Sequence, residues 1–133
     1  MRIGVPREPA DQPRAAASPQ TVERMIRLGY EVLVEHGVGE RAQFPDAAYE
    51  AAGAQVAGGA QVWGCEVVVS ASTPAEDRLA LMRRGAVLVC RLDPARRPEV
   101  LETLRERGVT CLALDVVPRI SRAQSLDVLS SQA

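Results

Sequence analysis

Three times in this chain a predicted helix ends on a glycine and the next residues form a short apolar run. Gly29 closes a helix that starts near Ser18 and leads into YEVLVE (30–35). Gly85 separates a helix over 74–84 from AVLVCR (86–91), and Gly108 separates a helix over 95–107 from VTCLAL (109–114). A glycine at such a boundary supplies the left-handed residue that the turn out of a helix needs. The runs are too short for independent helices and too uniformly apolar for strands with one wet face, so they read as strands buried on both sides. Buried strands alternating with helices imply an α/β fold, with a parallel sheet covered on both faces and right-handed crossovers.

The remaining elements fit that frame. RIGV (2–5) reads as a first strand, followed by a Pro-rich, charged loop. Ser18 is an N-cap with Pro19 at the first helical position, and Val22, Met25 and Ile26 form the apolar stripe of that helix. Residues 47–52 read as a short helix closed by Gly53, with a weak strand over 54–56. EVVVSA (66–71) is a nearly all-apolar strand. Leu79 and Met82 point inward from the helix over 74–84, as do Val100, Leu101 and Leu104 from the helix over 95–107. The 133 residues make one domain with no long-period repeat and no low-complexity linker.

Composition removes whole classes of function. The formal net charge is -1, so no global field favours nucleic acid or an anionic membrane. Aromatics are 3%, too few for a base-stacking surface. All 16 basic residues are Arg, so Schiff-base and lysine general-base chemistry have no residue to run on. One His and three Cys without CxxC spacing make a poor His/Cys metal set, and Cys65, Cys90 and Cys111 read as reduced core thiols. No run approaches the roughly 20 apolar residues of a membrane span, and MRIGVPRE lacks the apolar stretch of a signal peptide. A cytoplasmic protein with no direct membrane insertion is expected.

Gly37-Val38-Gly39 follows a strand, but no third glycine and no helix follow in register, so a tight turn is expected rather than a dinucleotide fingerprint. His36 has no Ser or Cys partner set by spacing and reads as a solvated loop histidine. In an open α/β sheet, ligands gather beyond the carboxyl ends of the strands. Loops start there at Pro6, Ser70, Arg91 and Asp115, which brings Arg7, Arg14, Ser70, Ser72, Arg91, Asp93 and Arg119 to one edge. Two or three of these arginines could meet an anion there; a solvated rim accounts for them equally well.

The densest polar stretch is residues 118–133, PRISRAQSLDVLSSQA. Ser121 to Gln124 fits the S-x-x-Q capping box and predicts a helix from about Arg122. At about 100° per residue, Gln124, Asp127 and Ser131 fall within about 60° of one another, opposite Leu126, Leu129 and Ala133. One face would pack and the other would present an amide, a carboxylate and a hydroxyl. An amphipathic surface helix, with Gln124 serving only the cap, accounts for the same spacing.

With RIGVPRE at the start and the PRAAASPQTVERMIRLGYEV block, this stretch resembles the N-terminal domain of the alpha subunit of proton-translocating NAD(P) transhydrogenases, a domain type shared with alanine dehydrogenases. The resemblance covers essentially all 133 residues. It implies a flavodoxin-like or Rossmann-like three-layer α/β domain with a mostly parallel sheet. It also implies that an NAD-binding Rossmann domain follows in the family, with NAD(H) in the cleft between the two. No such GxGxxG domain lies within residues 1–133. The family's nucleotide-contacting residues correspond to Arg119, Gln124, Asp127 and Ser130, with Ser125 and Leu126 in the run against the cofactor. Gln124 and Asp127 would serve the hydride transfer itself, Gln124 reaching toward NADP(H) held by a partner domain rather than by this chain.

The implied partners are the Rossmann domain, an NADP(H)-binding domain and a membrane subunit, with a homodimer on the cytoplasmic side of the membrane. The isolated chain is expected to fold but not to catalyse. An alanine dehydrogenase-type domain is the alternative within the family. There the resemblance implies an Arg, a Lys and a His for gripping a 2-oxo acid; the first matches Arg14, while Ser70 and Arg91 hold the other two positions. A non-catalytic α/β docking module is the alternative outside it.

Overall fold

The structure, a computed structural model, describes residues 1–9, 15–40, 42–92, 95 and 97–113. Six strands alternate with five helices: β1 (Arg2–Val5), α1 (Pro19–Arg27), β2 (Glu31–Glu35), α2 (Asp46–Ala51), β3 (Gln55–Ala57), α3 (Gly59–Trp63), β4 (Val67–Val69), α4 (Glu76–Leu79), β5 (Val87–Cys90), α5 (Arg97–Glu106) and β6 (Thr110–Ala113). The sheet order is β3-β2-β1-β4-β5-β6, and every pairing is parallel. This is the doubly wound order in which the sheet grows outward in two directions from the β1–β4 boundary.

The alternation of side chains divides the core into two layers. Ile3, Val5, Val32, Val34, Val67 and Val69 pack with Val22 and Met25 of α1 and Tyr49 of α2. The intervening residues face the other way. Val68, Leu88 and Cys90 pack with Leu79 of α4 and Val100 and Leu104 of α5, while Leu33 packs with Val62 of α3. Two helices on one face and three on the other is what right-handed crossovers produce when the strand order reverses between β3 and β4.

Ser18 caps α1 as expected, its hydroxyl accepting from the Thr21 amide at 3.2 Å. Gly29, Gly53, Gly85 and Gly108 all have positive φ at the ends of the preceding helical segments. The helix expected over 74–84 is regular only over Glu76–Leu79 and continues as turns, yet Leu79 and Met82 are both buried. Leu101, expected inward, is 41% exposed, because Val100 and Leu104 already fill the contact with the sheet. The last strand, expected as a fully buried run, alternates exposed and half-buried residues, with Leu112 44% exposed. It is an edge strand, and the described helices nearest to it lie on one face only.

α3 had no counterpart in the sequence reading. Its five residues begin on a glycine, and no stripe is long enough to show. It forms by packing on β1: a Cβ placed on Gly4 would lie 2.2 Å from the carbonyl oxygen of Val62. Only a glycine in that strand lets the helix backbone sit directly on it.

Candidate functional site

The carboxyl ends of β1 and β4 lie side by side at the topological switch point, the place where ligands enter sheets of this kind. The loop after β1 brings Glu8 there, and the loop after β4 brings Ser70, Ala71 and Ser72. Glu8 is 9% exposed and Ser70 is 3% exposed, the two buried polar side chains among the described residues. The Glu8 carboxylate is gripped at both oxygens. Oε2 accepts from the Ala71 amide at 2.9 Å, and Oε1 accepts from the Ser72 hydroxyl at 2.7 Å. The Ser70 hydroxyl stands 3.3 Å from Oε2 but only 2.9 Å from the Ser72 carbonyl, and its one proton favours the shorter contact.

Burial pushes the Glu8 carboxyl above its ordinary range, while hydrogen bonds from Ser72, Ala71 and Ser70 pull it down; burial wins. With both oxygens committed and little solvent access, Glu8 is a structural hydrogen-bond acceptor rather than a base poised for a substrate. Next to it, the Thr73 hydroxyl donates to the Arg91 carbonyl at 2.6 Å, tying the loops after β4 and β5.

The edge anticipated from the sequence is partly assembled. Arg7, Ser70, Ser72 and Arg91 do lie beyond the ends of β1, β4 and β5. Arg7 is turned toward the loop after β2: its amide donates to Glu35 at 2.9 Å, and its guanidinium is 3.6 Å from Glu40. At Arg7 the arrangement fits the solvated rim, its half-exposed side chain paired with Glu40. Arg14, Asp93, Arg119, Gln124, Ser125, Leu126, Asp127 and Ser130 lie outside the described residues.

The Gly37-Val38-Gly39 segment is a turn, as expected. Gly37 has φ of 81°, and a Cβ on Gly39 would fall 2.7 Å from Phe44. His36 is exposed, with Nδ1 2.6 Å from Asp46.

The turn after β1 does not fit a pyrophosphate. A dinucleotide fingerprint places glycine amides there; here the turn reads Pro6-Arg7-Glu8, and the carboxylate itself takes the donors of the neighbouring loop. Glu8 was missed because the sequence shows a charged residue in a loop, not that β1 lies beside β4. Its signal is a carboxylate directly after the first strand, opposite two serines directly after the fourth.

No helix among the described residues is long and apolar enough to cross a membrane. The family model "Alanine dehydrogenase/PNT, N-terminal domain" matches residues 4–133. The chain is 42% identical over 134 residues to the NAD(P) transhydrogenase subunit alpha of Haemophilus influenzae, covering all of this chain and 26% of that protein. It is 37% identical over 132 residues to the alanine dehydrogenase of Bacillus subtilis, covering 98% of this chain and 34% of that one. The crystal structure of the transhydrogenase from Sinorhizobium meliloti superposes with a TM-score of 0.86 at 34% identity, over 99% of this chain and 40% of that one. The chain thus spans roughly a quarter to a third of the curated relatives described here. On a match over nearly its full length, the chain belongs to the alanine dehydrogenase/PNT N-terminal domain family.

Proposed function

We propose that this domain is one wall of the NAD(H) cleft of a proton-translocating NAD(P) transhydrogenase, in which hydride passes between NADH and NADP⁺. The observation that carries the reading is the PRISRAQSLDVLSSQA stretch, in a chain similar over its whole length to transhydrogenase alpha subunits. The unsuitable turn after β1 supports it. A domain with the doubly wound strand order but without glycine amides for a pyrophosphate after β1 needs a second domain to hold the dinucleotide, and it would contribute side chains to the far side of the cleft.

NAD(H), when bound, supplies the hydride. The work left to this chain is to orient the ring and exclude water. In this reading Asp127 would accept from the carboxamide of the nicotinamide, Ser130 would bond the same amide, and Arg119 would supply positive charge toward the cofactor. Gln124 would reach toward the partner nucleotide, with Ser125 and Leu126 in the run against the cofactor. The NAD-binding Rossmann domain, the NADP(H)-binding domain and the membrane subunit are the partners of this reading. Within it, the domain works as a homodimer on the cytoplasmic side of the membrane, and residues 1–133 alone do not catalyse.

The 37% identity to an alanine dehydrogenase keeps a second reading, reduction of a 2-oxo acid. Ser70 weighs against it: where the resemblance implies an ammonium, a buried hydroxyl bonded to the Ser72 carbonyl stands instead.

The test joins the chain to its downstream NAD-binding domain and titrates NADH against wild type and Asp127→Ala. Loss of a hydrogen bond to the carboxamide is expected to weaken binding by about 1–2 kcal/mol, roughly five- to thirtyfold in Kd. Unchanged binding would remove Asp127 from the site and favour the docking-module reading.

A further inference from the structure

Glu8 does more than sit in a buried pocket. Its two oxygens accept from Ala71 and Ser72, neighbouring residues of a loop more than sixty positions away in the chain, and the Ser70 hydroxyl lies 3.3 Å from Oε2. Within that loop, Ser70 and Ser72 bond each other through Ser70 Oγ and the Ser72 carbonyl. Those bonds shape the loop locally but do not tie it to β1. Among the hydrogen bonds described at residues 70–72, those that cross to the loop after β1 all end on Glu8.

We propose that Glu8 is a positioning residue: its carboxyl group is a built-in hydrogen-bond acceptor on which the loop after β4 is folded, and that loop sets the shape of the crevice at the switch point. Naming NAD(H) as what borders the crevice rests on the proposed function; the role of Glu8 in the loop does not.

The chemistry of the seat is specific. The Ala71 N–H is a fixed donor and demands an acceptor at Oε2. The Ser72 hydroxyl is a rotor and can donate or accept. An uncharged amide therefore satisfies the seat, its oxygen facing Ala71 and its NH₂ donating to Ser72. A thioether of similar length satisfies neither group. Truncation to Ala removes Cγ, Cδ and both oxygens, a fragment with the heavy atoms of acetate.

The experiment is hydrogen exchange of the amides of residues 70–73 in the 133-residue chain. Wild type, Glu8→Ala, Glu8→Gln and Glu8→Met are compared in sodium acetate and in sodium chloride of equal ionic strength. Glu8→Ala is expected to exchange roughly tenfold or more faster at Ala71, with no comparable rise in β1 or β4. Acetate restores the protection and chloride does not. Glu8→Gln stays near wild type, and Glu8→Met opens the loop. Unchanged exchange in Glu8→Ala, a uniform rise across the sheet, or no recovery in acetate would each overturn the proposal. Should Glu8→Ala not fold, equal exchange in Glu8→Gln and Glu8→Met overturns it.

A second arm measures NADH affinity in the chain joined to its downstream domain. Weaker binding in Glu8→Ala, recovered by acetate, supports the crevice role; an opened loop with unchanged affinity overturns that part. If wild type itself does not engage NADH, the proposed function fails, and the exchange arm still decides the role of Glu8.

Discussion

Replacing Gly4 with alanine tests the contact that places α3 on the sheet. The added Cβ would meet the Val62 carbonyl oxygen at 2.2 Å, roughly 1 Å or more inside ordinary contact. Neither side yields easily. β1 is paired on both flanks, Gly4 opposite Leu33 on β2 and Val68 on β4. Val62 is fully buried, and the obstructing atom is main chain, so no rotamer change relieves the clash. Overpacking of a core costs about 1–3 kcal/mol, and this case belongs at the upper end. Alanine recovers about 0.4–1 kcal/mol by restricting the unfolded chain. The net expectation is a loss of about 2 kcal/mol, or roughly 5–10 °C in Tm for a domain of this size. Urea unfolding followed by far-UV circular dichroism gives the value directly. A Gly4→Ala variant within about 0.5 kcal/mol of wild type would refute the argument that the helix rests on the bare strand backbone.

Two further outcomes follow from buried polar groups. Because burial holds the Glu8 carboxyl above its ordinary value of 4.5, the folded chain binds that proton more tightly than the unfolded one. Its stabilising contribution is full below the unfolded value and is lost as pH rises through the folded one. Glu8→Gln removes this slope, so urea midpoints of wild type and variant measured from about pH 4 to 8 should differ in pH dependence; parallel curves would contradict the assignment. Tyr49→Phe removes the hydrogen bond that the phenol donates to the Ala17 carbonyl at 2.8 Å. A cost of about 1–2 kcal/mol is expected in the same unfolding assay, and a neutral result would mean that water or another donor serves that carbonyl.

The strands were legible because each is a short apolar run bounded by a turn, a pattern that needs no tertiary knowledge. The four positive-φ glycines after helical segments were legible for the same local reason. α3 was not, since its existence depends on Gly4 and Val62 meeting across β1, a contact between residues 58 positions apart. Leu101 looked inward on spacing alone, but a helix lying over a sheet edge buries a narrower stripe than periodicity suggests. Ser70 and Ser72 were placed at the ligand edge from the sequence, whereas Glu8 was not. The difference is strand order: each serine directly follows a buried run, while the burial of Glu8 follows only once β1 and β4 are neighbours. The residues that carry the functional reading, Arg119 to Ser130, rest on the motif and lie outside the described residues.

In the proposed function, this domain belongs to a hydride exchanger between two nicotinamide nucleotides. The most direct measurement combines this chain with the NAD-binding domain and partner subunits of the proposed function and follows NADH oxidation under two conditions. One supplies an NADP⁺ analogue, the other pyruvate with ammonium. Hydride transfer to the NADP⁺ analogue is expected, lost or strongly reduced in Asp127→Ala, with no turnover of pyruvate. Robust pyruvate reduction with no transfer to the analogue would contradict it and move the chain to the alanine-forming branch of its family.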